Sequence, residues 1–192
     1  MEALTAAQTL TLLGLSPFAN RSMFVGTDQF VLSGSTEQTI YDTTTAQDYE
    51  GSLTLASPEK GDTLRFFMAG NHQGHASAAE TLTFRVKLAG ILIVSVAVPS
   101  GDADGATSKP LILRGSITLN DAAASSTVRG FAELIYETEA GDVATVAAIG
   151  SGSAINLTID QDFDITGQYS VGAAAYALTV ENTLAERLRA NA

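Results

Sequence analysis

From about Met23 onward the chain is a series of short apolar segments separated by polar turns, and its dominant period is two. The clearest case is Thr81–Leu88. Leu82, Phe84, Val86 and Leu88 share one face, and Thr81, Thr83, Arg85 and Lys87 share the other. That alternation predicts a half-buried antiparallel strand whose core face is the Leu82, Phe84, Val86, Leu88 set. After Ala89-Gly90 comes Ile91–Val98, an unbroken Val- and Ile-rich run that predicts a strand covered on both faces. Leu111, Leu113, Ile117 and Leu119 continue the alternation, with Gly115 at the inward position between them. Val128, Ala132, Leu134 and Tyr136 repeat it. Shorter strands are expected at 30–32, 39–45, 52–55, 63–68, 143–148, 155–159 and 169–180.

The connectors carry turn chemistry. Ser57-Pro58-Glu59-Lys60-Gly61-Asp62 offers Pro to fix φ and Gly to reverse it, and Ala140-Gly141-Asp142 reads as a tight hairpin. Gly150-Ser151-Gly152-Ser153 reads as a further reversal, and residues 100–109 as a longer polar loop. Many short strands at this spacing indicate an all-β sandwich or barrel. Helical periodicity is confined to the ends: 4–13 predicts a short helix or extended arm, and 183–189 a final helical turn or two. The expected organisation is an N-terminal arm (1–22), a β-sandwich (23–182) and a C-terminal tail (183–192).

Composition sharpens this outline. The chain has 192 residues, 45% of them hydrophobic, with no Cys and no Trp. One domain of this length can bury a core without covalent staples, and a disulfide scaffold or thiolate metal cluster is excluded. Its longest apolar stretch, Leu88–Val98, is about half of what a membrane-spanning helix needs. Glu2 stands where a signal peptide carries a base, so neither membrane nor secretion is expected.

Charge is both scarce and uneven. Only 16% of residues are charged, against about 25% in ordinary domains. The net charge is −11, which argues against nucleic acid as a partner because phosphate binding needs clustered bases. Residues 1–59 hold a single base, Arg21, and 130–186 hold none, whereas 60–129 are weakly basic and the last residues add Arg187 and Arg189. Such polarity suits contact with copies of the chain or with a larger partner. A surface built largely of Thr, Ser, Ala and Gly suits buried subunit contacts, because interface centres are depleted in charge.

Candidate chemistry is sparse. Asp160, Asp162 and Asp164 have the spacing that opens a calcium loop, but the sixth and twelfth positions hold Ile165 and Val171 rather than Gly and Glu. The alternation predicts instead an outward carboxylate face with Phe163 and Ile165 inward. Asp102 and Asp104 suit a turn as well as a weak cation site. His72 and His75, the only histidines, could join Glu80 or Asp62 around a metal, but read better as exposed loop residues. No nucleophile elbow or phosphate loop is present. The expectation is therefore no catalytic residue, no cofactor and no metal.

Two stretches carry a resemblance. Gly51-Ser52-Leu53-Thr54-Leu55 through Gly61-Asp62-Thr63-Leu64-Arg65, followed by Thr81-Leu82-Thr83-Phe84-Arg85-Val86-Lys87-Leu88-Ala89-Gly90, resembles the small jelly-roll virion structural proteins of tailed bacteriophages. Those pair a "SLTLP…GDxLRI" opening with a "TLTFRVKLGG" strand. Here the first Pro is absent, and Ala89 replaces the first Gly of the second motif. The resemblance spans about 30–182. It implies a jelly-roll β-sandwich and a non-enzymatic protein, a homotrimer that serves as capsid decoration (cement) on the outer shell. Assembly would take place in the bacterial host cytoplasm, with the major capsid protein as partner. It also admits a head fibre or tail-associated receptor-binding knob. A carbohydrate-binding module is the alternative from another class, weakened by the absence of Trp. Leu4, Leu10, Leu12 and Leu13 in the arm and Arg187 and Arg189 in the tail are the expected partner contacts.

Overall fold

The computed structural model describes residues 21–25, 35–42, 58–74, 80–103, 107–171 and 177–188. Its strands are β1 (Arg21–Val25), β2 (Gln38–Asp42), β3 (Thr63–Gln73), β4 (Leu82–Leu88), β5 (Ile91–Val98), β6 (Lys109–Leu119), β7 (Ser126–Glu137), β8 (Val143–Ile155), β9 (Phe163–Tyr169) and β10 (Ala177–Leu188). A six-stranded sheet has the order β1-β10-β3-β6-β7-β8, and a four-stranded sheet the order β2-β9-β4-β5. Every pairing is antiparallel. The chain is an all-β antiparallel sandwich, entered and left repeatedly as the strands pass between sheets. No helix occurs among the described residues.

The core lies between the sheets and follows the period-2 pattern. Leu82, Phe84, Val86 and Leu88 are fully buried on β4, facing Leu64, Phe66, Met68, Leu113, Ile117 and Leu134 of the larger sheet. Phe66 and Phe163 meet across it with ring centroids 5.8 Å apart, a tilted geometry that suits the aromatic quadrupoles. Gly115 leaves the space that the Phe66 ring fills, which is why the alternation there carries no side chain. The Ala89-Gly90 connection has φ of 55° and 72°, the conformation of a two-residue type I′ hairpin.

Several expectations need correction. Gly150–Ser153 is no reversal: β8 runs straight through it to Ile155, and 156–159 is turn rather than strand. The glycines are there because β5 crosses so closely that a Cβ on Gly150 would collide with the Ile93 carbonyl, and one on Gly152 with the Ile93 side chain. The run Ile91–Val98 is not covered on both faces; β5 is a sheet edge, and Leu92 and Ser95 are exposed. A register shift between Val86 and Lys87 turns Ile93 and Val94 both inward.

The C-terminal region is the third correction. Residues 183–188 form no helical turn and no tail, because they complete β10 between β1 and β3. A spacing of four, as between Leu184 and Leu188, fits period 2 as well as period 3.6. The extended ladder to β3, from Ala177 to Leu188, decides between them. The fourth concerns His72, which lies within β3 and is buried. At the other terminus β1 begins at Arg21, so the strand takes the last two residues assigned to the arm.

Candidate interaction surface

The outer face of the six-stranded sheet is the most distinctive surface. Along β8 the outward positions are Val143, Thr145, Ala147, Ile149 and Ser151, opposite Glu137, Ile135, Glu133, Phe131 and Arg129 of β7. Ile149 is 84% exposed, Val143 75% and Phe131 40%. Ile149 and Phe131 are direct cross-strand partners, so their apolar surfaces form one patch. All of β8, thirteen residues long, contains no charged side chain and no proline. Lone edge strands are normally guarded by Lys, Pro or bulges against pairing with other chains. Here the one irregularity is a register shift near Ser126 and Val128, far from the hairpin.

Beside this patch the face carries two charged rungs. Arg114 and Glu133 are directly opposed on β6 and β7, 2.5 Å apart, and Arg65 and Glu186 are opposed on β3 and β10 at 3.9 Å. Together with Phe67, Phe131 and Leu184 they line a shallow depression of about 680 Å³. Both arginines are more than half exposed, so each pair contributes little to stability. Arg129, exposed at the far end of β7 from the hairpin, has no ion pair among the described residues. The β7–β8 hairpin end carries exposed Glu139 and Asp142. The ladder therefore carries Arg129 at one end and Asp142, beside the Lys109-paired Glu139, at the other, with Ile149 and Phe131 between them next to the Arg114-paired Glu133.

Two clusters of titratable groups lie elsewhere. At one end of the sandwich Lys109 donates to the Thr138 carbonyl at 2.8 Å and pairs with Glu139, while the Tyr136 hydroxyl donates to Asp102 at 3.2 Å. Burial, then the Asp102 charge, pushes the Tyr136 phenol above its ordinary value. His72 sits beside Lys109 in register, and neither ring nitrogen has a hydrogen bond of ordinary geometry. Burial pulls its pKa below 6.5 and Lys109 adds to that, whereas the Glu137 backbone and the carboxylates of Asp102 and Glu139 oppose it.

On the outer face of the smaller sheet, Glu37 pairs with Lys87 at 2.5 Å and Arg85 at 3.7 Å and accepts a hydrogen bond from Thr166. Burial alone would raise its pKa, but these partners together hold it below the ordinary carboxylate value. The outward charges of β4 are thus largely matched within the sheet.

Other residues singled out in the sequence fall as follows. Phe163 and Ile165 point inward, as the alternation predicts; of the three carboxylates only Asp160, which precedes β9, is exposed, and Asp162 and Asp164 are half-buried. Asp102 caps the Lys109 end, accepting from Tyr136. Arg187, expected as a partner contact, is buried against Asp62 instead. Leu4, Leu10, Leu12, Leu13, His75, Asp104 and Arg189 lie outside the described residues. The exposed β8 patch had one sequence signal, an apolar and small-residue alternation with no charge in it.

No protein-family model matches the chain, and no curated protein matches it. Among solved structures it is similar to the CBM2 module of the evolved Dit of Lactobacillus casei BL23 phage J-1, at 12% identity over 88% of this chain and 81% of that one, TM-score 0.33. It is also similar to the lectin UEA-II complexed with galactose, at 11% identity over 88% and 86%, TM-score 0.34. Lectin II from Ulex europaeus aligns at 10% identity over 87% of each chain, TM-score 0.33. The fold assignment rests on the strand pairing described above, not on these likenesses.

Proposed function

We propose that this chain is a non-enzymatic virion structural protein of a tailed bacteriophage, a homotrimeric decoration protein that bridges major capsid subunits on the outer shell. The observation that carries this reading is the exposed edge strand β8, free of charge along its length, with Ile149 beside Phe131, on an otherwise acidic sandwich. A surface of that kind serves protein contact, where charge is depleted at the centre. The virion context comes from the resemblance of 51–65 and 81–90 to jelly-roll virion proteins, the second stretch supplying β4 and its hairpin. A trimer that spans neighbouring capsomers holds by effective concentration, so individually weak contacts suffice.

The test uses particles produced without this protein. Purified chain added back is expected to coat the shell and delay heat-induced release of DNA. If it leaves the shell bare and its loss abolishes adsorption to cells, the protein is a receptor-binding knob. A second reading, carbohydrate binding, draws on the depression lined by Phe131, Arg114 and Arg65, which offers an aromatic ring and hydrogen-bonding groups together. Binding to a glycan array that Phe131→Ala removes, without binding to shells, would favour it.

A further inference from the structure

We infer that copies of this chain meet through the outer face of the β7–β8 ladder. In this contact the Arg129 end of one copy lies against the acidic hairpin of the next. The inference rests on the homotrimer reading and names the surface that builds it.

Charge selects the occupant. Chains of net charge −11 repel one another wherever acidic surfaces face. They can close together only across a surface that is neutral or complementary. β8 has no charged residue over its whole length, and its outward side chains at positions 143 and 149 are the most exposed large apolar groups of the described residues. The two ends of the ladder also differ in charge. Arg129 is exposed opposite Ser151 near one end, and Glu139 and Asp142 are exposed at the hairpin.

A two-end arrangement suits a head-to-tail contact, in which two different ends meet around a cyclic axis. The Arg129–Asp142 pairing then joins each copy to the next and sets orientation, and Ile149 and Phe131 of the copies face the common axis. A nucleic acid does not fit, since the face offers one free base and an acidic border. Another virion protein on the same face is the rival that the experiment separates.

The experiment is sedimentation of the full chain at micromolar concentration, for wild type, Ile149→Glu, Arg129→Glu and the charge swap Arg129→Glu/Asp142→Arg. Circular dichroism of each variant checks the fold, which these exposed positions leave intact. The wild type is expected as a trimer, Ile149→Glu and Arg129→Glu as monomers, and the swap as a trimer again. If the wild type is trimeric and both single variants remain so, the surface assignment fails while the trimer reading stands. If those variants stay trimeric but no longer coat particles, the face belongs to the shell partner and the inference is overturned. A monomeric wild type overturns both.

Discussion

Arg187 of β10 donates from Nε to Asp62 at 2.9 Å, and both side chains are essentially removed from solvent. The same Asp62 oxygen accepts the Glu59 backbone N–H at 2.8 Å, so one carboxylate ties the turn before β3 to the last strand. Removing one partner of a buried pair leaves the other uncompensated. Arg187→Ala is expected to cost about 3–5 kcal/mol in urea unfolding. Replacing both residues with apolar ones of similar volume is expected to cost much less.

The hairpin between β4 and β5 places Ala89 at φ 55°. An L-residue there carries left-handed strain of about 1–2 kcal/mol, offset in part by the greater unfolded-state entropy of glycine. Ala89→Gly is therefore expected to stabilise by about 0.5–1 kcal/mol, read as a higher denaturation midpoint at unchanged m-value.

Gly150 lies against the backbone of β5, and a Cβ would strike the Ile93 carbonyl. A carbonyl cannot swing aside as a side chain end can. Gly150→Ala is expected to cost roughly 2 kcal/mol or more by thermal unfolding, with strain of the kind overpacking produces. The same change at Gly141, where nothing lies within 4 Å, would strain only its own φ of 84° and is expected to cost less.

His72 gives the fold a pH dependence. Its folded pKa lies below the ordinary 6.5, so the unfolded chain binds the extra proton first as the pH falls. The stability it contributes is complete above about pH 6.5 and is lost as the pH drops toward the folded pKa. Lys109 makes that protonation costlier, while Asp102 and Glu139 ease it. His72→Gln is expected to flatten this part of the stability–pH curve, measured by unfolding at a series of pH values.

The sandwich was legible because burial on one face imposes period 2, as at Leu82, Phe84, Val86 and Leu88. It failed where a partner far along the chain decides. Gly150 and Gly152 read as a turn until β5 crosses them. His72 read as a loop residue because β3 extends past Met68 under the pull of its ladders with β6 and β10. Arg187 read as a tail base, since nothing near it in sequence announces Asp62. The interaction face was partly legible, as a shortage of charge in 143–155, but its exposure depends on β8 being a sheet edge.

The most direct test of the function is cryo-electron microscopy of the virion that carries this chain. The account predicts many symmetric copies on the outer shell, each a trimer seated across neighbouring capsid subunits. A density confined to a few copies at a vertex or the tail, or none on the particle at all, would contradict it.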